Sequence, residues 1–213
     1  MAVNRGRFIT VEGGEGAGKS SNLTFIRQLL EQAGKRVIFT REPGGTPLGE
    51  EVRDLLLDHR HQGMSQDTEL LLMFGARAEH IAHKIRPALD AGTWVLCDRF
   101  TDASYAYQGG GRGIDWQRIH TLETWVQGDL RPDLTLLLDL PVSQGLQRAG
   151  ERSQPDRFES EEGAFFKRVR EAYLQIVERE PERVKVVDAS LHLAAVQEQI
   201  TVLIQAFLRQ AAP

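Results

Sequence analysis

The chain has 213 residues, 41% of them hydrophobic and 26% charged, with a formal net charge of −4. That length suits one domain, over 1–213, with a sheet covered on both faces, and the ordinary globular composition excludes a disordered or collagen-like chain. The acidic balance argues against a nucleic-acid polymer as partner, and no apolar run reaches membrane-spanning length. The single cysteine, Cys97, cannot form an internal disulfide and reads as a core thiol in a reducing compartment. Residues 1–7 lack the apolar stretch of a secretory signal, so the expected location is the cytoplasm.

Residues 7–12 read as a strand and 13–18 as a glycine-rich turn. Residues 19–33 form an amphipathic helix, with Leu23, Ile26, Leu29 and Leu30 on one face and Gly34 as its stop. A second strand at 36–40 precedes a helix that starts at Thr46 and Pro47 and runs to Leu57. A long helical stretch covers 67–91, with Pro87 expected to kink or restart it. His80 and His83 share a face of that helix without a third ligand, which reads as a polar face rather than a zinc site. The apolar run 94–98 is a third strand, helical stretches at 101–108 and 115–126 flank a glycine-rich connection, and 134–140 is a strand buried on both faces. A short helix (142–149), a charged loop (150–162), a helix (162–179), a fifth strand (184–188) and a last helix (193–210) complete the chain. Strands alternating with helices imply an α/β domain with a parallel sheet, whose ligands sit beyond the carboxyl ends of the strands.

The turn after the first strand reads GGEGAGKS over residues 13–20 and fits GxxxxGK(S/T), the Walker A phosphate-binding loop. Its glycines let backbone N–H groups converge on a polyanion, and the helix that follows presents its positive end. Lys19 would reach the β- and γ-phosphates of ATP, and Ser20 would place its hydroxyl on Mg²⁺. Gly13, Gly14, Glu15, Gly16, Ala17, Gly18, Lys19, Ser20 and Ser21 are therefore the candidate ATP-binding residues. Asp98, closing the third strand, has the character of a Walker B carboxylate that holds Mg²⁺ through water. An Asn-Lys-x-Asp guanine motif is absent from the sequence, which argues against a GTP switch.

Four further segments narrow the reading: TREPGGT (40–46), LMFGAR (72–77), DRF (98–100) with AYQGGGRG (106–113), and the arginine-bearing loop from Arg148 to Arg157. In this order and spacing the chain resembles the thymidylate kinase family, in its bacterial subgroup with a basic lid. The resemblance implies a P-loop NTPase-type three-layer sandwich with a five-stranded parallel sheet, and phosphorylation of dTMP by Mg-ATP. It implies a homodimer as well. By position, Glu42 resembles the acidic residue near the acceptor phosphate and metal, and Glu12 the one that helps organise Mg²⁺ or the acceptor. Arg53 and Arg99 resemble the arginines that clamp the acceptor phosphate with planar guanidinium groups. Arg77 resembles the residue that hydrogen-bonds thymine, and Phe74 the aromatic that stacks on it. Many members carry that aromatic where Met73 stands, and both positions share a helix face with Arg77. Ser104 and Gln108 match positions that read the pyrimidine edge, and Tyr107 the residue that crowds the sugar 2′ position. Residues 150–162 resemble the lid over ATP. The phosphate loop itself holds no arginine, so Arg148, Arg152 and Arg157 are the expected cations at the transferring phosphoryl group. Ala189 and Ser190 fall where the family contacts adenine.

Overall fold

The computed structural model describes residues 5–150, 156–159 and 161–210. Among them the strands are β1 (Phe8–Glu12), β2 (Val37–Arg41), β3 (Trp94–Asp98), β4 (Leu134–Asp139) and β5 (Val184–Asp188). They form one sheet in the order β2-β3-β1-β4-β5, and every pairing is parallel. Side chains alternate between its two faces, as the period of two requires. Ile9, Val11, Leu96, Leu136 and Leu138 join one core with α1 (Lys19–Gln32) and α9 (Leu193–Gln210). Phe8, Val95 and Cys97 face the other side, against Ile81, Ile85 and Leu89. Leu137 on that side meets Phe165, Phe166 and Val169 of α8 (Gly163–Arg179). This is the expected three-layer sandwich, apolar on both faces because both are covered. β1 sits in the middle with β3 on one flank and β4 on the other, so the chain leaves it where the strand order reverses, the usual place for a ligand.

The remaining helices are α2 (Pro47–Leu57), α3 (Gln66–His80), α4 (Arg86–Asp90), α5 (Thr101–Ser104), α6 (Trp116–Gln127) and α7 (Val142–Gly150). Two stretches depart from the sequence reading. The helix expected over 67–91 changes winding at a π-helical turn, Ile81–Ile85, before Pro87, which sits in the first turn of α4 where its missing N–H is not needed. The connection expected after residue 108 stays helical as a π-helical segment, Tyr105–Gly111. Its glycines allow α8 to approach. A Cβ on Gly110 would lie 2.6 Å from the Ala172 Cβ and 2.7 Å from the Arg168 carbonyl oxygen.

Gly110→Ala therefore sets helix propensity against packing. Propensity alone would favour alanine, but overpacking against backbone should dominate and lower the melting temperature by about 2–8 °C. Thermal melts of the two proteins check this, and an unchanged or higher value would contradict the packing.

Glu12 ends β1 fully buried beneath the carboxyl edge. One oxygen accepts from the Phe100 N–H and the other from the Tyr173 hydroxyl, each at 2.7 Å. Burial, aided by the nearby Asp102, pushes its carboxyl up to about 8 against the pull of Tyr173, Arg99 and the Phe100 N–H. The folded chain thus keeps a proton that the unfolded chain releases above its ordinary value of 4.5. Stability from this group is present in full below that value and is lost as pH rises through the folded value. Glu12→Gln cannot ionise, so its melting temperature should gain on the wild type between about pH 5 and about pH 8. A constant difference across that range would contradict the assignment.

Candidate active site

The carboxyl ends of β1, β2 and β3 open onto a cavity of about 350 Å³. One wall is the glycine-rich loop, from Glu15 to Ser20. Gly16 and Gly18 take left-handed φ angles of 68° and 81°, which a Cβ would disfavour. Gly18 leads directly into α1, so the start of that helix faces the cavity. The Lys19 ammonium folds back over the loop and donates to the carbonyls of Gly13 and Gly14 at 3.1 Å each. Burial, then the neighbouring Arg99, lowers its pKa.

The opposite wall is cationic. Arg99 follows β3 with φ 65°, left-handed and not glycine, a backbone cost of about 1–3 kcal/mol. Its guanidinium donates to Glu15 Oε1 at 2.7 Å and lies over the Tyr107 ring, whose hydroxyl donates to the same oxygen at 2.7 Å. Burial opposes charge on Glu15, but Arg99, Lys19 and the Tyr107 hydroxyl outweigh it and hold the carboxyl down at about 2. Arg53, on α2, reaches the cavity and donates to the Pro43 carbonyl at 3.0 Å. Burial, then Arg41 and to a lesser degree Arg99, lower its pKa against the pull of Glu50.

Arg77 closes the far end. Its Nε donates to Glu42 Oε2 at 2.7 Å, and its Nη2 to Ser104 Oγ at 2.9 Å and to the Phe100 carbonyl at 3.3 Å. Its Nη1 is buried without a hydrogen-bond partner, and so is Asp98 Oδ1. Buried polar atoms are nearly always paired, so a vacant donor and a vacant acceptor on one cavity call for ligands. Gln108 also lines the cavity and is held by Glu69, to which its amide donates at 3.0 Å.

Of the residues singled out from sequence, the cavity gathers Glu15, Gly16, Ala17, Gly18, Lys19, Ser20, Glu42, Arg53, Arg77, Asp98, Arg99, Ser104, Tyr107 and Gln108. Others stand elsewhere. Phe74 is buried among Leu70, Ile114 and Ile119, with Arg77 over its ring, and Met73 lines the cavity in its place. Arg148 donates to the carbonyls of Ala189 and Ser190 and does not face the cavity. Arg157 is 5% exposed, its guanidinium spent on Glu69 Oε2 at 2.7 Å and the Leu56 carbonyl at 2.7 Å. It is therefore held in the packed interior behind the cavity lining and does not reach the phosphate site in this conformation. Arg152 lies outside the described residues. Glu12 sits beneath the floor, Gly13 and Gly14 brace Lys19, and Ser21 is exposed on α1. Glu42, expected near the acceptor phosphate and metal, lines the cavity with both oxygens committed, one to Arg77 and one to His80. His80 is fully buried and only His83 is exposed, so the expected shared polar face does not exist.

Arg41 also lines the cavity, with no role foreseen for it, and so do Asp156, Phe158 and Glu159 from the expected lid, not singled out one by one. Arg41 was within reach, since it ends β2 beside Asp98 at the carboxyl edge. The other three depend on how the chain returns after residue 155.

A family model described as Thymidylate kinase matches residues 11–200. The thymidylate kinase of Pseudomonas putida is 58% identical over 205 residues, covering 96% of this chain and 98% of its own. That of Alkalilimnicola ehrlichii is 58% identical over 195 residues, covering 91% and 90%. The crystal structure of thymidylate kinase from Ehrlichia chaffeensis matches with a TM-score of 0.77 at 33% identity, over 94% of this chain and 99% of that one. With a family match across most of its length and a phosphate loop facing a second cationic wall, this chain belongs to the thymidylate kinase family.

Proposed function

We propose that this protein transfers the γ-phosphoryl group of Mg-ATP to dTMP, giving ADP and dTDP, a step in dTTP synthesis. The observation that carries the reading is the buried, unpartnered Nη1 of Arg77, a residue that lines the same cavity as the phosphate loop. A fixed N–H donor there suits the 4-oxo group of a pyrimidine, while Met73 offers an apolar contact to the ring. Tyr107, on the cavity lining, would crowd a ribose 2′-hydroxyl and so favour a deoxyribose. Arg53 and Arg99 hold the acceptor phosphate by paired N–H donors. Lys19 leaves the loop carbonyls for the β- and γ-phosphates. The vacant Asp98 Oδ1, acting through water, and the Ser20 hydroxyl fit a magnesium site. When bound, Mg²⁺ supplies charge neutralisation on the phosphates. The acceptor phosphate oxygen is already a nucleophile, so alignment and electrostatics suffice for in-line transfer, and no strong general base is needed. Closure of the lid, 150–162, excludes water and brings a cation to the transferring group, with Arg152 its remaining candidate.

The reading extends to a homodimer. Leu48 and Leu55 on α2, Leu71 on α3 and Trp125 on α6 are large apolar side chains left exposed, Trp125 at 81%. α3 packs against both α2 and α6, so the three helices offer one surface for a second copy. A reducing cytoplasm suits the lone buried thiol of Cys97. Among the described residues, no helix is long and apolar enough to cross a membrane.

Steady-state ADP release with Mg-ATP tests the reaction. dTMP should far outpace dCMP, UMP, AMP and GMP. dUMP should turn over slowly, since one methyl group discriminates by only about 10- to 200-fold. Indifference to the acceptor would overturn the proposal. Lys19→Ala should lower kcat by about 10²–10³ with the fold intact. Arg99→Ala should raise KM for dTMP and lower kcat, and an effect confined to ATP would contradict its place on the acceptor.

A further inference from the structure

We infer that His80 is a positioning residue for base selection, acting through Glu42 on Arg77. The inference rests on the reading of Arg77 as the group that meets the acceptor base.

An arginine side chain carries a large rotamer entropy, and a guanidinium that can swing does not discriminate well. Arg77 is held on several sides. Its Nε is bound to Glu42 Oε2 and its Nη2 to Ser104. Its plane lies against Phe74 and Phe100, at 4.5 and 5.2 Å from the ring centroids. Glu42 could still rotate about its own bonds were its second oxygen free. His80 removes that freedom, with Nδ1 2.9 Å from Glu42 Oε1 and Nε2 2.6 Å from Thr40 Oγ1. A carboxylate only accepts, so the Nδ1 proton points at Glu42. In the neutral ring Nε2 then accepts from the Thr40 hydroxyl. The chain Thr40–His80–Glu42–Arg77 is buried throughout, with no member more than 6% exposed. Such a network rigidifies when every member is satisfied, and the atom left over at its end is Arg77 Nη1.

The turn after β2 is shaped around this contact. A Cβ on Gly45 would lie 2.6 Å from both His80 Nε2 and Thr40 Oγ1, and the Lys84 ammonium, one helical turn beyond His80, donates to the Gly45 carbonyl at 3.0 Å. The second glycine of TREPGGT thus makes room for the His80–Thr40 hydrogen bond.

A braced donor accepts a 4-oxo group and meets a 4-amino group donor to donor. Loss of the brace should weaken dTMP binding and relax the rejection of dCMP, leaving the ATP site untouched. The test is the dTMP-to-dCMP ratio of kcat/KM, with KM for ATP and the melting temperature measured alongside. His80→Leu should raise KM for dTMP and cut the ratio by about tenfold each, with KM for ATP unchanged. His80→Asn, whose amide nitrogen can replace Nδ1–H, should recover most of both. Thr40→Val should shift both in the same direction but less. Folded His80→Leu with wild-type KM and ratio would overturn the inference, leaving His80 a purely structural residue. Should His80→Leu not fold, a wild-type KM and an unchanged ratio in Thr40→Val overturn it instead. A wild type that does not prefer dTMP to dCMP sinks the reading of Arg77 itself, whereas a selective wild type with an equally selective His80→Leu, or Thr40→Val where that variant fails to fold, sinks only the role of His80.

Discussion

A pocket for two polyanions must gather cations on a wall that is itself part of the protein, and such a wall cannot carry them bare. Each of the four central cations here has an internal partner. Lys19 rests on two loop carbonyls and Arg53 on a third, while Arg99 is paired with Glu15 and Arg77 with Glu42. The partners differ in kind. Neutral carbonyls give way readily to phosphate oxygens, because hydrogen bonds to ionised acceptors are about twice as strong. Carboxylate partners stay and set direction. Glu15, with its pKa held at about 2, is charged at every working pH, so the Arg99–Glu15 pair stays charged at every working pH too.

The parallel sheet makes this gathering possible. All five strands end at one edge, so the loop after β1, the turn after β2 and the Asp98–Arg99 pair after β3 arrive together with no long connection. The cost is borne at particular residues: a left-handed Arg99, a buried Glu12 whose proton is retained by burial, and a π-helical segment whose glycines let α8 lie close. Each breaks a local rule beside the cavity, where departures from local preference are expected in functional proteins.

The strands, the glycine loop and the α/β class were legible because they are local patterns, a period of two and a fixed spacing of Gly, Lys and Ser. Helix geometry placed Met73 and Phe74 on the face of Arg77 but could not choose between them. The rotation of α3 that turns Met73 to the cavity and Phe74 to Leu70 and Ile119 is set by α6 and the segment before it. The arginines show the other limit. Composition shows that guanidinium groups are plentiful but not which carboxylate each will meet. Arg157 finds Glu69, 88 positions away, and is buried against it. His80 finds Glu42 and Thr40, 38 and 40 positions away, and becomes a brace. The spacing of residues along one helix carries no trace of such pairs.

Base selection at the acceptor end turns on a braced Arg77 that presents its unpartnered Nη1 to the base. A crystal structure of the protein with dTMP, ADP and Mg²⁺ tests it most directly. Arg77 Nη1 should lie at about 3 Å from the 4-oxo group of thymine, with the Arg77–Glu42 and Glu42–His80 hydrogen bonds intact. A thymine seated elsewhere with Nη1 still unpaired, or an Arg77 that has left Glu42 to reach its ligand, would contradict it.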